Sequence, residues 1–391
     1  MKKQIKYRIF APIVAGIIIC LTISACKKNE ADMADASPMK ATRNQTHPGT
    51  PHKASFHTYD QNEKTIVFGV VADSHIDCSN VFGSDDDHMI KNKRVIDDMN
   101  YDKNHWLSKQ HFIVHLGDAI NTENVQNIVA FRQLWEDDYP GDDGGAIAGD
   151  LDNNYTAYSD GHVINSAVYI NIGNHGAPGE NDGWNYMRDY VEDRMEHFYK
   201  NDDYHNHDCY YWKSGRFLFI HAGLSLCSYA KEKDDDEIVF DEGKISWIKN
   251  VLDTHAPDST MGVFILQHYG WDFFSKENRW WTEEMRTRMI NVLCRRDHEN
   301  QIAKPYNVLG ILTGHVHSQG HTRVKCGFTE DGDEVWFDNY QFDDSYGDGY
   351  YGYSHLYVNN GDTLYIHHKK YDGSSSLGWD NNVGKKITIL D

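Results

Sequence analysis

Five short segments of this chain bring together side chains that bind metal ions. They are Asp73-Ser74-His75, Gly117-Asp118, Gly173-Asn174-His175, a lone His268, and Gly314-His315-Val316-His317. Their donors are carboxylate and amide oxygens and imidazole nitrogens, a mixture that suits Zn, Mn, Fe or Ni better than Ca. Metal ions in such a set polarise oxygen ligands and acidify water, so hydrolysis is the chemistry these residue types favour. Singly, each motif is weak. Gly-Asp and Gly-Asn pairs often mark nothing more than a turn, and an Asp or His at a strand end is more often a cap or a surface side chain.

Their shared context gives them weight. Each follows an apolar run: residues 65–72, 112–116, 168–172, 263–267 and 308–312. Uninterrupted runs of this length predict strands buried on both faces. Helical patterns are expected between them, at about 124–135, 184–198, 243–252 and 283–293. After His317, alternating stretches near 334–339, 354–358 and 363–368 predict further strands, with Gly361-Asp362 as a turn. Residues 137–160, rich in Gly, Asp and Asn, read as a surface insertion. Strands alternating with helices, then a run of strands, predict a layered α/β domain with a mixed sheet. In open α/β sheets ligands collect at the carboxyl ends of strands, so the five motifs are expected to meet. In an extended segment, residues two apart point the same way, which would aim His315 and His317 at one place.

The ordered set Asp-x-His, Gly-Asp, Gly-Asn-His, His and Gly-His-x-His resembles the calcineurin-like metallophosphoesterase family, from Asp73 to His317. The resemblance implies a four-layer α/β/β/α sandwich of two mixed sheets, with two metal ions, divalent or trivalent, at the strand ends. It implies Asp73, His75 and His317 as ligands of the first ion, Asp118 as the bridging carboxylate, and Asn174, His268 and His315 as ligands of the second. Two ions about 3.5–4 Å apart clamp a phosphoryl group and supply a hydroxide nucleophile. His175 is implied as the catalytic acid that protonates the leaving oxygen. The activity expected is hydrolysis of a phosphorylated small molecule. A monoester is preferred to a diester such as a nucleotide or phospholipid headgroup, and the rival from another class is a non-catalytic surface binding protein.

Three departures and ambiguities accompany the resemblance. The family often has an acidic residue after Gly-Asn-His, where this chain has Gly176; Asp77 or another carboxylate is then expected to orient His175. Asn121 stands where purple acid phosphatases carry a tyrosine ligand, so a tyrosine-ligated iron site is not expected. His221, within Phe217-Leu-Phe-Ile-His221-Ala-Gly-Leu, resembles the histidine of phosphoprotein phosphatases that binds the second metal and so competes with His268, which is preferred. Asn121, His221 and Tyr269 are the candidates for contact with substrate. The aromatics of 269–274 and Trp280-Trp281 read either as core packing or as a wall against the leaving group, and Tyr-rich 346–353 either as a loop over the site or as an exposed turn.

The ends and the composition bound the setting. Lys2, Lys3, Lys6 and Arg8 precede an apolar stretch, 9–23, and Ile23-Ser24-Ala25-Cys26 resembles the lipobox of bacterial lipoproteins. Residues 1–25 are therefore expected to be a signal peptide and Cys26 the lipidated residue. Residues 26–62 are polar and read as a flexible tether reaching roughly 30–40 Å, and 63–391 form the catalytic domain. The protein is expected at the bacterial cell envelope, on the membrane through its lipid. Of the 391 residues, 40% are hydrophobic, enough for a sizeable core. The net charge of −21 grows more negative once the leader is removed, which argues against long nucleic acids as partners. Beyond Cys20 and Cys26, five irregularly spaced cysteines suggest no disulfide framework, with Cys209–Cys227 the one pairing an oxidising compartment would favour.

Overall fold

The apolar runs become the strands of two sheets. The computed structural model describes residues 62–77, 87–105, 110–121, 125–135, 162–176, 204–205, 209–223, 228–233, 237–240, 242–270, 283–295, 305–329, 331–345, 350–372, 375–387 and 389. The signal peptide, Cys26, nearly all of the tether, the insertion at 137–160, the helix expected at 184–198, Trp280-Trp281 and Cys227 lie outside these residues.

The first sheet joins β1 (Ile66–Val71), β2 (Gln110–His115), β3 (Val168–Ile170), β13 (Tyr350–Asn359), β14 (Thr363–Asp372) and β15 (Ser375–Lys386) in the order β15-β14-β13-β1-β2-β3. The second joins β4 (Tyr204–His205), β5 (Cys209–Ser214), β6 (Phe217–Ala222), β9 (Gly262–Leu266), β10 (Val308–Thr313), β11 (Gly320–Phe328) and β12 (Glu334–Gln341) in the order β11-β12-β10-β9-β6-β5-β4. A separate hairpin pairs β7 (Ser228–Lys233) with β8 (Glu237–Phe240). Both sheets have a parallel centre and antiparallel flanks: β1, β2 and β3 run parallel in one, and β6, β9, β10 and β12 in the other. Every strand that precedes a donor motif belongs to one of these parallel centres, so their carboxyl ends point the same way within each sheet.

Aromatic rings fill the space between the sheets. Phe68 of β1 meets Phe219 of β6 and Phe264 of β9 edge-on, each at 5.2 Å between centroids, and Tyr169 of β3 stacks on Trp212 of β5 at 3.9 Å. Four helices are described: α1 (Asp87–His105), α2 (Val125–Trp135), α3 (Glu242–His255) and α4 (Glu283–Leu293). Ile245, Ile248 and Leu252 of α3 and Met289 and Leu293 of α4 share one core with Leu218, Ile220, Val263 and Ile265 of the second sheet. Met99 of α1 and Ile128 and Phe131 of α2 pack with the first. The layers are therefore α/β/β/α with two mixed sheets, as expected.

Two expectations about local structure are corrected. Helix α1 has no counterpart among the expected elements. Asp98 and Asp102 of α1 accept hydrogen bonds from Tyr371 and Tyr353, and Arg94 donates to the Tyr351 hydroxyl at 2.7 Å. Its buried face mixes apolar Met89, Val95, Ile96 and Met99 with polar Lys91, Asn92 and Asp102, and the polar residues mask the apolar period. The second correction concerns His315 and His317. They do not lie on an extended segment: β10 ends at Thr313, and both residues are left-handed, with φ of 75° and 50°.

Candidate metal centre

At the carboxyl ends of the parallel strands the backbone turns abruptly. Among the described residues, seven other than glycine have positive φ, and five of them belong to the motifs: Asp73 (49°), His75 (42°), Asp118 (48°), His315 (75°) and His317 (50°). A left-handed residue with a side chain costs roughly 1–2 kcal/mol, and such strain persists only where the surroundings impose it. Here the main chain imposes it. Asp73 N donates to Gly117 O at 3.0 Å, and His75 N donates to Asp118 O at 2.9 Å, lashing the end of β1 to that of β2. Gly173 is required by close approach, since a Cβ there would stand 2.0 Å from the Asp118 nitrogen.

The donors converge as two groups. Asp73, His75, Asp118 and His317 form one, and Asp118, His268 and His315 the other; within each group the donor atoms lie within 4.8 Å of one another. Asp118 belongs to both. One of its oxygens, Oδ1, accepts the His175 N–H at 2.7 Å, while Oδ2 lies 3.2 Å from His268 Nε2 and 3.5 Å from His75 Nε2. That oxygen is placed to serve either group. Asn174 joins the second through its Oδ1, 2.8 Å from His268 Nε2. Asp73 accepts the His315 N–H at 2.9 Å, which fixes its carboxylate.

The imidazoles are oriented from behind. Nδ1 of His268 donates to Leu116 O at 2.9 Å, and Nδ1 of His317 faces Asp344 Oδ2 at 3.2 Å. An acceptor on the outer nitrogen leaves Nε2 as the inward lone pair, which is how metal-bound histidines are held. His317 Nε2 then stands 3.2 Å from His75 Nε2. Two imidazole nitrogens facing each other at that distance, beside two buried carboxylates, fit a cation between them. Soft sulfur is missing from both groups, and the nitrogen–oxygen mixture suits Zn, Mn, Fe or Ni.

Electrostatics agree. Burial lowers His75 and His315 to about 3, so both rings are neutral and able to coordinate. Burial alone would also lower His268, but Asp118 and Asp73 outweigh it and push His268 up to about 9. Burial pushes the Asp73 carboxyl up, whereas His268 and His75 overcome burial at Asp118 and hold it well below the usual range. Without a cation, the cluster keeps protons in its place.

The remaining candidates separate. His175 is exposed and lies beside His75, ring centroids 4.4 Å apart. Its Nδ1 donates to the Asn121 carbonyl at 2.7 Å, and the Asn121 side chain donates to Asp77 at 2.9 Å. The carboxylate expected to orient His175 is thus replaced by a main-chain carbonyl, with Asp77 one hydrogen bond further out. Tyr269 is buried, its ring 4.7 Å from that of His315. His221 is brought to neither group. It is fully buried, its Nε2 donates to Tyr169 O at 3.2 Å, and its ring lies 4.8 Å from that of Tyr210. Cys209 is buried at the start of β5, and its suggested partner Cys227 falls outside the described residues. Residues that the sequence reading missed include Asp344, behind His317, and His115, whose Nε2 is 2.5 Å from Ser74 Oγ beneath the first group. Neither follows a glycine or opens a motif, so only the fold reveals them.

No family model matches the chain, and no curated protein matches it. Solved structures do. PhoD is similar over 84% of this chain and 73% of its own, at 11% identity and a TM-score of 0.46. Purple acid phosphatase PPD1 from yellow lupin (Lupinus luteus) is similar over 84% and 55%, at 11% identity and a TM-score of 0.43, so the chain spans about half of that enzyme. The calcineurin-like phosphoesterase YfkN from Bacillus subtilis is similar over 83% and 91%, at 12% identity and a TM-score of 0.37.

Proposed function

We propose that the chain is a metal-dependent hydrolase of phosphoric esters, with a dinuclear centre held by Asp73, His75, Asp118 and His317 on one side and Asp118, Asn174, His268 and His315 on the other. One observation carries this reading: two groups of donors, most of them buried, share a single carboxylate, which is the arrangement that would suit a pair of bridged cations. Bound there, the ions would supply Lewis acidity toward a phosphoryl oxygen and an acidified water. The protein's own residues do the rest. Asp118 and Asp73 would offset part of the ions' charge, and their orientation is set in advance by the main-chain N–H groups of His175 and His315. His175 stands on the open side with Nδ1 committed to Asn121, so Nε2 is the nitrogen that gives a proton to the leaving oxygen. General acid catalysis of this kind contributes about 10²–10⁴-fold. Tyr269 closes the wall beside His315.

A phosphorylated small molecule is the substrate class, a monoester in preference to a diester. The net charge of −21 opposes long nucleic acids, and residues 1–25, read as a lipoprotein signal peptide, would put the enzyme at the bacterial envelope through a lipid on Cys26. The test is turnover of p-nitrophenyl phosphate and bis-p-nitrophenyl phosphate by chelator-stripped protein resupplied with Mn, Zn, Fe or Ni. The monoester should be hydrolysed after resupply. Activity on the diester alone overturns the monoester preference, and a protein that neither binds metal nor hydrolyses either compound is a binding protein.

A further inference from the structure

The left-handed loop Asp73-Ser74-His75 delivers two donors, and its N–H groups are held by the end of β2. Its carbonyls are held by something else: two side chains of α1, four residues apart and therefore on one face of the helix. Asn92 Nδ2 donates to Ser74 O at 2.8 Å, and His88 Nδ1 donates to His75 O at 3.0 Å. Asn92 is fully buried and its hydrogen bonds extend further. The same nitrogen donates to His88 O at 2.8 Å, and Oδ1 accepts from Ser345 Oγ at 3.1 Å. Ser345 in turn donates its N–H to Ala72 O at 3.1 Å, closing a ring of contacts around the end of β1.

We propose that Asn92, assisted by His88, is a positioning residue that holds the Asp73–His75 loop in its strained conformation, and so sets the affinity of the first donor group more than that of the second. This rests on the metal-centre reading above. An extended or right-handed backbone at Asp73 and His75 would turn their side chains apart, and the hydrogen bonds to the two carbonyls oppose that relaxation. The second group leans on this loop less: His268 and His315 come from the other sheet, and the ties to the loop are the His315 N–H on Asp73 and the His75 N–H on the Asp118 carbonyl. Loss of supporting contacts around a metal site typically costs 10–100-fold in affinity.

The experiment compares wild type, Asn92→Leu and His88→Ala, each loaded with Mn or Zn and dialysed against rising chelator, with bound metal counted by mass spectrometry and the melting of the metal-free form recorded. Wild type should hold two ions. Asn92→Leu should release one of them at about tenfold less chelator or lower still, while the second shifts much less; His88→Ala should show the same split, more weakly. A role in general stability would lower melting and weaken both ions together, which overturns the proposal, as does two-ion retention equal to wild type. Should Asn92→Leu not fold, the His88→Ala split decides, since that side chain is half-buried in the first turn of α1. Wild type that binds no metal sinks the metal-centre reading itself, a result distinct from two ions unaffected by either substitution.

Discussion

The two donor groups share Asp118 but are built differently. The second is closed: His268 is fully buried, its Nδ1 is bound to a main-chain carbonyl, and Asn174 caps its Nε2. The first is open. His317 keeps 34% of its side-chain exposure, His175 lies exposed beside His75, and the loop carrying Asp73 and His75 depends on side chains from α1. The closed group owes its geometry to the strands themselves; the open one to supporting residues that can be removed one at a time. Under the dinuclear proposal the contrast amounts to a division of labour, in which the closed group would hold its ion more firmly and the open one would face the reaction.

The largest effect should come from the residue that erases the distinction. Asp118→Asn is expected to empty both groups and to reduce phosphate ester hydrolysis to the level of chelated protein, as read by metal counting and p-nitrophenyl phosphate turnover. Next comes His175→Asn, which should lower kcat by about 10²–10⁴-fold while both ions remain; loss of an ion would make His175 a ligand rather than an acid. His268→Ala should abolish the closed site and leave one ion per chain in the open one. Full two-ion occupancy in that variant would return the role to a histidine such as His221.

Protons sharpen the contrast at smaller scale. In metal-free protein Asp73 is raised by burial and His268 reaches about 9, so both hold protons at pH 7 that a cation must displace. Metal affinity should therefore climb from pH 6 toward pH 9 and level off above, with proton release on loading at pH 7 detectable in weak buffer. Affinity that falls across this window contradicts the assignment. Because the centre is assembled from both sheets, saturating metal should also raise the melting temperature, equivalent to about 2.7 kcal/mol at a hundred times Kd.

How far the sequence reaches follows the same division. The strands leading to the motifs, and α4 at Glu283–Leu293, were legible because continuous or periodic apolar residues survive as such in the fold. Helix α1 was not legible, since buried Lys91, Asn92 and Asp102 interrupt its stripe of Met89, Val95, Ile96 and Met99, and Arg94, Asp98 and Asp102 bind tyrosine hydroxyls. Strand β15, with the polar sequence SSLGWDNNVGKK, escaped for a related reason: it is recruited by ladder hydrogen bonds to β14. That the motifs would converge was legible from the apolar runs before them, while their roles came from the family resemblance. The orientation of the donors was not legible, because a left-handed φ at His315 and His317 and a carbonyl behind His175 leave no mark on residue type.

The central claim is that Asp118 bridges two cations. It is tested most directly by a crystal soaked in manganese and measured for anomalous scattering. The account predicts two peaks about 3.5–4 Å apart, both within bonding distance of the Asp118 carboxylate. A single peak, or manganese bound without Asp118, would contradict it.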